Sequence, residues 1–369
     1  MNMNFYMPVN IIFGKECIKN NSAQFSKYGK KCMIVTGKNS AKKSGALADV
    51  ISALECEGTD FVIYDKIEQN PLYSTCKAAA DEAKKFGAEF IVGIGGGSPL
   101  DAAKAIAVLT ASADTSAEAL YSGNWDATPL PIIAVGTTAG TGSEVTPVSV
   151  ITAPDGLKKS FRASSIYPVT AFGDATYTMS LSPEFTCSTA LDTLCHCIES
   201  YFNRTANDIS KIFALRGVSI LLEALPKTAS CETSQLSFED REKLYCASLY
   251  GGLAISITGT AFPHTLGYFL SERYNISHGN ACAVYLEDFI NHNAAASPCE
   301  TEYFLKSLNT DKNTLLKLIQ LNLPKIDVQL SDEEIALLSP RFENNKSLNK
   351  CYGNVDRDFA EAVLRKKFI

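Results

Sequence analysis

The chain of 369 residues lacks the features that direct a protein to a membrane, to nucleic acid or to secretion. No apolar run approaches the roughly 20 residues that a membrane-spanning helix needs. The first residues lack a basic segment followed by an apolar core, so we expect no signal peptide. Its 34 basic and 40 acidic residues give a net charge of −6 without a basic patch, which disfavours nucleic-acid binding. We therefore expect a soluble, cytoplasmic globular protein that binds neither membrane nor nucleic acid.

Cysteines with the spacing of a disulfide framework or a zinc ribbon are also missing. The twelve cysteines are scattered, no C-x-x-C occurs, and Cys195 and Cys197 are too close for an ordinary bridge. Most stand among apolar residues, where a free cysteine behaves as a small hydrophobic side chain. We expect reduced thiols that serve packing, as in a cytoplasmic protein.

The secondary-structure patterns divide the chain into two halves. Before about residue 180, short β-branched runs alternate with helical patterns, which indicates βαβ units and a parallel sheet. Beyond it, helix-compatible stretches dominate, and the charged tail at 329–369 is also expected to be helical. We predict an α/β N-terminal Rossmann-like domain with a parallel sheet (1–180) and an all-α helical C-terminal domain (181–369). The expected strands are 31–37, 60–65, 89–97 and 130–138, and the expected helices are 184–202, 208–225, 239–256, 261–272 and 281–296.

A glycine-rich turn follows one predicted strand, in FIVGIGGGSPLDAAKA. Glycines 95–97 let the backbone approach an anion, and the next helix offers free N–H groups to a pyrophosphate. We expect Ser98 at the N-cap of that helix, with Asp101 completing an S-x-x-D capping box. The turn alone also fits an ordinary βα connection, because it is neither a full G-x-G-x-x-G nor a Walker A loop. A second loop, VGTTAGTGSEVT (135–146), adds hydroxyls at the same expected sheet edge, and together the two favour a dinucleotide site.

The chain has only four histidines. In LDTLCHCIESYF, Asp192 and His196 lie one turn apart on one helix face. Alone, that pair is better explained by a hydrogen bond between helices than by a metal. His264 and His278 are each compatible with a buried or capping histidine, and His292 is expected at the surface. Three imidazoles and a carboxylate would nevertheless form a ligand set for Fe²⁺, Zn²⁺ or another divalent ion, with positions left for substrate.

These segments resemble, in order, the motifs of the iron-containing (group III) alcohol dehydrogenase family. GGGSPLDAAKA is similar to its pyrophosphate turn, TTAGTGSE to its second cofactor loop, DTLCHCIESY to its D-x-x-x-H-x-x-E helix, and PHTLGY with SHGNA to its histidine pair. The resemblance implies a dehydroquinate synthase-like architecture. The metal ligands that it implies are Asp192, His196, His264 and His278. The cofactor contacts that it implies are Asn70, Gly96, Gly97, Ser98, Asp101, Thr137, Thr138, Thr141, Ser143 and Lys159, or its neighbour Lys158.

The resemblance also implies a function: a metal-dependent, NAD(P)H-linked alcohol dehydrogenase or aldehyde reductase, working as a homodimer or larger oligomer. Hydride would pass between nicotinamide and a small alcohol or aldehyde whose carbonyl the metal polarises. Tyr268 stands where many members have a histidine near the substrate, and we expect it to shape the pocket or pass a proton. Two other functions are weighed: a metal- and NAD-dependent sugar-phosphate cyclase, for which only Arg273 offers a nearby basic group, and a non-catalytic nucleotide-binding relative.

The turn after the strand at 31–37 bears on the choice of cofactor. In VTGKNSAKKSG, Gly37 is followed by Lys38, Ser40, Lys42 and Lys43, and the segment has no carboxylate that would repel a 2′-phosphate. These residues favour NADP(H) over NAD(H). The alternative is that the lysines are only solvated turn residues.

Overall fold

The computed structural model describes residues 5–229, 236–343 and 345–369. They form two compact units, called here the sheet unit and the helical unit. Residues 237–245, the start of one long helix, belong to the sheet unit although they follow residue 180. Among the described residues, the sheet unit comprises Tyr6–Leu181 and Ser237–Tyr245, and the helical unit comprises the others.

Strands rich in β-branched residues form the centre of the sheet unit. They are β1 (Asn10–Phe13), β2 (Lys31–Gly37), β3 (Asp60–Ile67), β4 (Phe90–Gly95), β5 (Ile132–Gly136), β6 (Val148–Thr152), β7 (Lys158–Arg162) and β8 (Thr170–Gly173). Six of them form a parallel sheet in the order β1-β8-β5-β4-β2-β3. The chain therefore places β3 on one side of β2 and then crosses to place β4 on the other. In open parallel sheets, ligands bind at the carboxyl ends of the strands beside such a reversal.

The four predicted strands are confirmed as β2, β3, β4 and β5, with ends that differ by a few residues. β1, β8 and the antiparallel hairpin of β6 and β7 are not among the strands predicted from the sequence. β8 lies inside the sheet, between β1 and β5, yet its four residues, TAFG, show no β-branched run. Such a short strand is stabilised by its two neighbours, not by its own propensity.

Helices cover both faces of the sheet, because alternate strand residues point to opposite sides. Along β2, Met33 and Val35 join one apolar cluster, whereas Cys32 and Ile34 join the other. Ten residues of α4 are buried, which makes it the most enclosed helix of this unit. The helices are α1 (Ser40–Ser44), α2 (Ala46–Cys56), α3 (Tyr73–Phe86), α4 (Gly97–Ala111) and α5 (Ala117–Ser122).

The helical unit confirms the predicted all-α character of the second half. Its helices are α6 (Pro183–Tyr201), α7 (Asp208–Ala229), α8 (Phe238–Thr258, whose start lies in the sheet unit), α9 (Phe262–Arg273), α10 (His278–Ala283), α11 (Leu286–Ala296), α12 (Pro298–Ser307), α13 (Lys312–Asn322), α14 (Asp332–Leu338) and α15 (Arg357–Phe368). The single helix expected at 281–296 is in fact two, α10 and α11. Among the residues that the structure describes, no helix combines the length and apolar character of a membrane span.

Candidate metal centre and nucleotide turn

Three histidines of the helical unit surround one carboxylate oxygen. Oδ1 of Asp192 lies 3.7 Å from Nε2 of His196, 3.4 Å from Nε2 of His264 and 3.9 Å from Nε2 of His278. The rings of His196 and His264 are stacked at 4.8 Å between centroids, and those of His264 and His278 meet edge-on at 5.3 Å. The structure thus brings together all four residues that the sequence resemblance implies as metal ligands.

Close packing of three helices produces this convergence. A Cβ on Gly279 of α10 would lie 1.8 Å from the carbonyl oxygen of Ser188 on α6. A Cβ on Gly267 of α9 would lie 2.8 Å from the carbonyl oxygen of Ala281 on α10. Glycine at both positions lets the helix backbones touch. The ligand residues on α6, α9 and α10 are thereby brought within a few ångströms of one another.

Two polar atoms at the centre lack the partners that burial normally requires. Asp192 and His264 are 2% and 3% exposed, and neither Oδ1 of Asp192 nor Nε2 of His264 has a hydrogen-bond partner among the described residues. Burial alone would raise the pKa of Asp192, but the imidazoles of His196, His278 and His264 hold it well below its usual range. A buried anionic oxygen and a buried imidazole nitrogen that lie this close together fit a divalent cation.

Glu199 orients one of the histidines from behind. Its Oε1 lies 2.5 Å from Nδ1 of His264, and its Oε2 accepts the N–H of Ala261 at 2.5 Å. A carboxylate on Nδ1 fixes the ring and leaves Nε2 for a metal, as second-sphere carboxylates commonly do. Glu199 ends the D-x-x-x-H-x-x-E motif, but the sequence predicted no role for it. Its spacing of three residues from His196 was the available signal.

Cys282 is an unexpected member of this group. The candidate ligand atoms of Asp192, His264, His278 and Cys282 all lie within 4.8 Å of one another. Burial opposes protonation of His264, but Cys282, Glu199 and Asp192 together raise its pKa well above the usual value. The sequence analysis treated the cysteines as packing residues. The i,i+4 spacing of His278 and Cys282 on a short helix could have indicated otherwise.

Tyr268 lies beside the exposed edge of the centre. Its ring stacks on the imidazole of His278 with centroids 6.0 Å apart and planes only 11° from parallel. The side chain of His278 is 36% exposed, whereas those of the other three predicted ligands are at most 6% exposed. The centre is therefore open to solvent on the side that His278 and Tyr268 share.

In the sheet unit, the two glycine- and threonine-rich loops touch each other. They follow β4 and β5, whose last residues pair directly. A Cβ on Gly96 would lie 2.9 Å from Oγ1 of Thr138, and a Cβ on Gly97 would lie 3.0 Å from Cγ2 of Thr141. Glycine therefore allows the threonine loop to close over the start of α4, at the sheet edge where a nucleotide is expected.

The predicted capping box at this turn is wrong. α4 begins at Gly97 and has a glycine at its N-cap, with no side chain capping it, so Ser98 is inside the helix. The Asp101 carboxylate accepts the hydroxyl of Ser143 at 2.6 Å and the N–H of Val150 at 2.9 Å instead. The threonine loop and β6 compete successfully for this carboxylate, and neither contact is visible in local spacing.

A buried lysine explains why Asp101 turns inward. The ammonium of Lys104 donates to the carbonyl of Ser143 at 2.8 Å, to its hydroxyl at 2.7 Å and to the carbonyl of Val148 at 2.7 Å. It also lies 3.6 Å from Oδ1 of Asp101. Burial lowers the pKa of Lys104, and the Asp101 carboxylate opposes that change. This network, centred on a fully buried ammonium, attaches the threonine loop to α4.

The other predicted cofactor residues lie at the glycine turn, at the ends of neighbouring strands or on the β6–β7 hairpin. Asn70, with a left-handed backbone (φ +56°), donates its N–H to Oγ of Ser98 at 3.3 Å and so lies at the glycine turn. Gly37 ends β2, the strand beside β4, and Thr137 is buried directly after β5. Lys159 lies on β7, where its half-exposed ammonium pairs with Asp155, and its contact with the cofactor stays a prediction.

Comparison with known proteins gives a consistent result. The family model described as iron-containing alcohol dehydrogenase matches residues 8–175, and that of the C-terminal part of the Fe-containing alcohol dehydrogenase family matches residues 186–323. The crystal structure of an iron-containing alcohol dehydrogenase from Thermotoga maritima is 33% identical with a TM-score of 0.90, covering 99% of both chains.

Named relatives agree with these matches. Alcohol dehydrogenase 4 of Saccharomyces cerevisiae (strain YJM789) is 31% identical over 284 residues, covering 76% of this chain and 73% of the relative. The NADPH-dependent butanol dehydrogenase of Clostridium saccharobutylicum is 26% identical and covers 99% of this chain and 97% of the relative. These matches do not favour the sugar-phosphate cyclase alternative. The chain belongs to the iron-containing alcohol dehydrogenase family and is a metal-dependent, NAD(P)-linked oxidoreductase that acts on alcohols and aldehydes.

Proposed function

We propose that this enzyme reduces small aldehydes with NADPH at a divalent metal held by Asp192, His196, His264 and His278. The observation that carries the proposal is the approach of three imidazole Nε2 atoms to one buried carboxylate oxygen, each within 3.9 Å. Such a nitrogen and oxygen set suits Fe²⁺ or Zn²⁺. When bound, the metal supplies a Lewis acid for the substrate oxygen and the nicotinamide supplies the hydride.

The protein side chains prepare this site in three ways. The Asp192 carboxylate stays anionic and provides the negative charge that balances a divalent cation. Glu199 holds the His264 ring in the orientation that presents Nε2. Burial of these residues keeps bulk water from competing for the same atoms. Substrate would then enter on the open side, where Tyr268 stacks on His278 and would line the pocket.

The preference for NADP(H) rests on the turn after β2. Lys42 is already paired, at 2.7 Å, with Asp65, a β3 carboxylate that the sequence analysis did not consider. The positive charge available to a 2′-phosphate therefore comes from Lys38 and Lys43, which are both exposed. The relative that is named for NADPH is consistent with this choice.

The metal centre can be tested by reconstituting the protein with Fe²⁺ or Zn²⁺ under anaerobic conditions. The wild type should bind one metal per chain and oxidise NADPH with short aldehydes, and His264→Ala should lose both properties. His292→Gln is the matched control and should retain both, since its imidazole bonds to the Tyr352 carbonyl instead. A fully metallated wild type that is inert toward a broad carbonyl panel would favour a non-catalytic nucleotide-binding protein.

Cofactor preference needs a separate measurement. We expect kcat/KM to be higher with NADPH than with NADH, because Lys38 and Lys43 can pair with the 2′-phosphate. Lys38→Gln with Lys43→Gln should lower kcat/KM for NADPH about tenfold or more, the equivalent of one charge-assisted contact, and leave NADH unchanged. Lys85→Gln on α3 is the control for loss of an exposed lysine. A wild type that prefers NADH would contradict the proposal.

A further inference from the structure

We propose that the sulfur of Cys282 is an additional ligand of the metal centre, which makes this a mixed nitrogen, oxygen and sulfur site. The inference rests on the metal centre proposed above and adds one donor to it. It concerns a residue to which neither the sequence motifs nor the ligand set of the resemblance assigns a function.

Distances within the cluster are close to those between ligands of a common ion. Two atoms that bind the same Zn²⁺ at about 2.0–2.3 Å each lie at most about 4.6 Å apart. The candidate ligand atoms of Asp192, His264, His278 and Cys282 all lie within 4.8 Å of one another. In a tetrahedral site the same bonds place the ligand atoms about 3.3–3.8 Å apart, so the most distant pair would have to approach by about 1 Å for all four atoms to bind one ion.

The surroundings of Cys282 differ from those of a packing cysteine. Its Sγ lies 3.9 Å from both ring nitrogens of His278, one helical turn away on α10. Cys197 offers a contrast within the same unit. A Cβ on Gly217 would lie 2.4 Å from the Cys197 sulfur, so that thiol packs against the α7 backbone. Cys282 faces nitrogen and oxygen ligands, whereas Cys197 faces a glycine.

An independent feature also indicates a cation beside this sulfur. Oδ1 of Asp192 and Nε2 of His264 are buried without hydrogen-bond partners among the described residues, and both belong to the group that includes Cys282. Buried polar atoms without a hydrogen bond are costly, and an ion shared with the thiolate would satisfy both.

Coordination requires no redox step. The thiol proton leaves to solvent as the sulfur–metal bond forms, and neither atom changes oxidation state. A soft sulfur donor strengthens binding of Zn²⁺ more than a further oxygen donor would. We therefore expect this centre to favour Zn²⁺ over Fe²⁺ more strongly than the same centre without the sulfur.

X-ray absorption of the Zn²⁺-loaded full-length protein tests the assignment directly. Wild type should show a sulfur scatterer at about 2.3 Å together with nitrogen and oxygen at about 2.0–2.2 Å. Cys282→Ala and Cys282→Ser should lose the sulfur shell and bind Zn²⁺ at least about 10- to 100-fold more weakly. That range is the usual loss of metal affinity when an outer-shell partner of a ligand is removed, and loss of a direct ligand should cost no less. Cys197→Ala, the matched control, should keep the sulfur shell and the wild-type affinity.

The possible outcomes distinguish the sulfur ligand from the metal centre on which it depends. A wild-type spectrum with one zinc per chain and only nitrogen and oxygen neighbours overturns the sulfur ligand but leaves the metal centre intact. A wild type that binds no zinc stoichiometrically overturns both. Because the decisive spectrum is that of the wild type, the test stands even where a Cys282 variant fails to fold.

Discussion

The buried carboxylate of Glu199 connects a candidate metal ligand to the backbone of a neighbouring segment. It is fully buried, and its two oxygens serve two different partners: the ring of His264 and the backbone N–H of Ala261. It therefore couples the orientation of a candidate ligand to the backbone just before α9. The positions of Asp192 and His196 on α6 could be read from helical periodicity, but this coupling could not, because its partners are 62 and 65 residues away.

Replacing Glu199 with Gln should weaken metal binding without removing a ligand. Glutamine has only one acceptor oxygen, so its amide N–H₂ faces either Nδ1 of His264 or the N–H of Ala261, and one of these donors loses its acceptor. We expect the Zn²⁺ dissociation constant to rise about 10- to 100-fold, measured by titration against a competing chelator. Glu302→Gln, which removes an exposed carboxylate paired with Lys306, serves as the control. An unchanged affinity in Glu199→Gln would show that the carboxylate does not orient the ring.

At the scale of secondary-structure elements, local patterns predicted the strands that are long and regular and missed those defined by their neighbours. β2 has five consecutive buried residues and was predicted. β8, with four residues, was not, since it is recognisable only by its position between β1 and β5. The predicted start of α4 was two residues too late, and its predicted cap was wrong. The capping box assumed that Asp101 would bond locally, but the threonine loop supplies stronger partners.

The contact of α4 with the threonine loop depends on Lys104. Lys104→Met substitutes an unbranched side chain one atom shorter, which removes the buried ammonium and leaves the Asp101 carboxylate without its cation. We expect the free energy of unfolding to fall by about 3–5 kcal/mol, the usual cost of breaking a buried ion pair, measured by urea denaturation. NADPH binding, followed by cofactor fluorescence, should weaken as the loop loosens.

The control for this prediction is Lys85→Met on α3, which removes an exposed lysine and should change the free energy of unfolding by less than about 0.5 kcal/mol. A loss below about 1 kcal/mol in Lys104→Met would indicate that Asp101 and the loop retain their positions without the ammonium.

At the scale of the whole molecule, His292 ties distant parts of the chain together. It was expected at the surface but is partly buried on α11, and its Nε2–H donates to the carbonyl of Tyr352 at 2.9 Å. Its ring also packs edge-on against Phe359 of α15, at 4.7 Å between centroids. The tail after residue 350 is thereby attached to α11, the helix that follows α10.

This arrangement makes stability depend on pH. Burial lowers the pKa of His292 below its usual value, although the Tyr352 carbonyl opposes the shift. As pH falls below about 6.5, the unfolded chain takes up the proton before the folded chain does. The contribution of neutral His292 is therefore present above that pH and is lost as pH falls through the folded pKa. Between about pH 7 and pH 5, the thermal midpoint of His292→Gln should fall less than that of the wild type. Equal decreases in the two proteins would contradict this assignment.

The sequence by itself determined the two-part architecture, the order of β2 to β5 and the family, because these follow from local periodicity and from motifs of a few adjacent residues. Only the tertiary structure decided that α6, α9 and α10 touch through Gly279 and Gly267. It also decided that Asp101 serves Lys104 and Ser143 in place of a cap, and that a sulfur stands beside the histidines. These features depend on burial and on partners that are far apart in the chain. Burial removes water from polar groups, and those groups must then pair with whichever partners the fold brings near. A linear pattern carries no information about which partners these are.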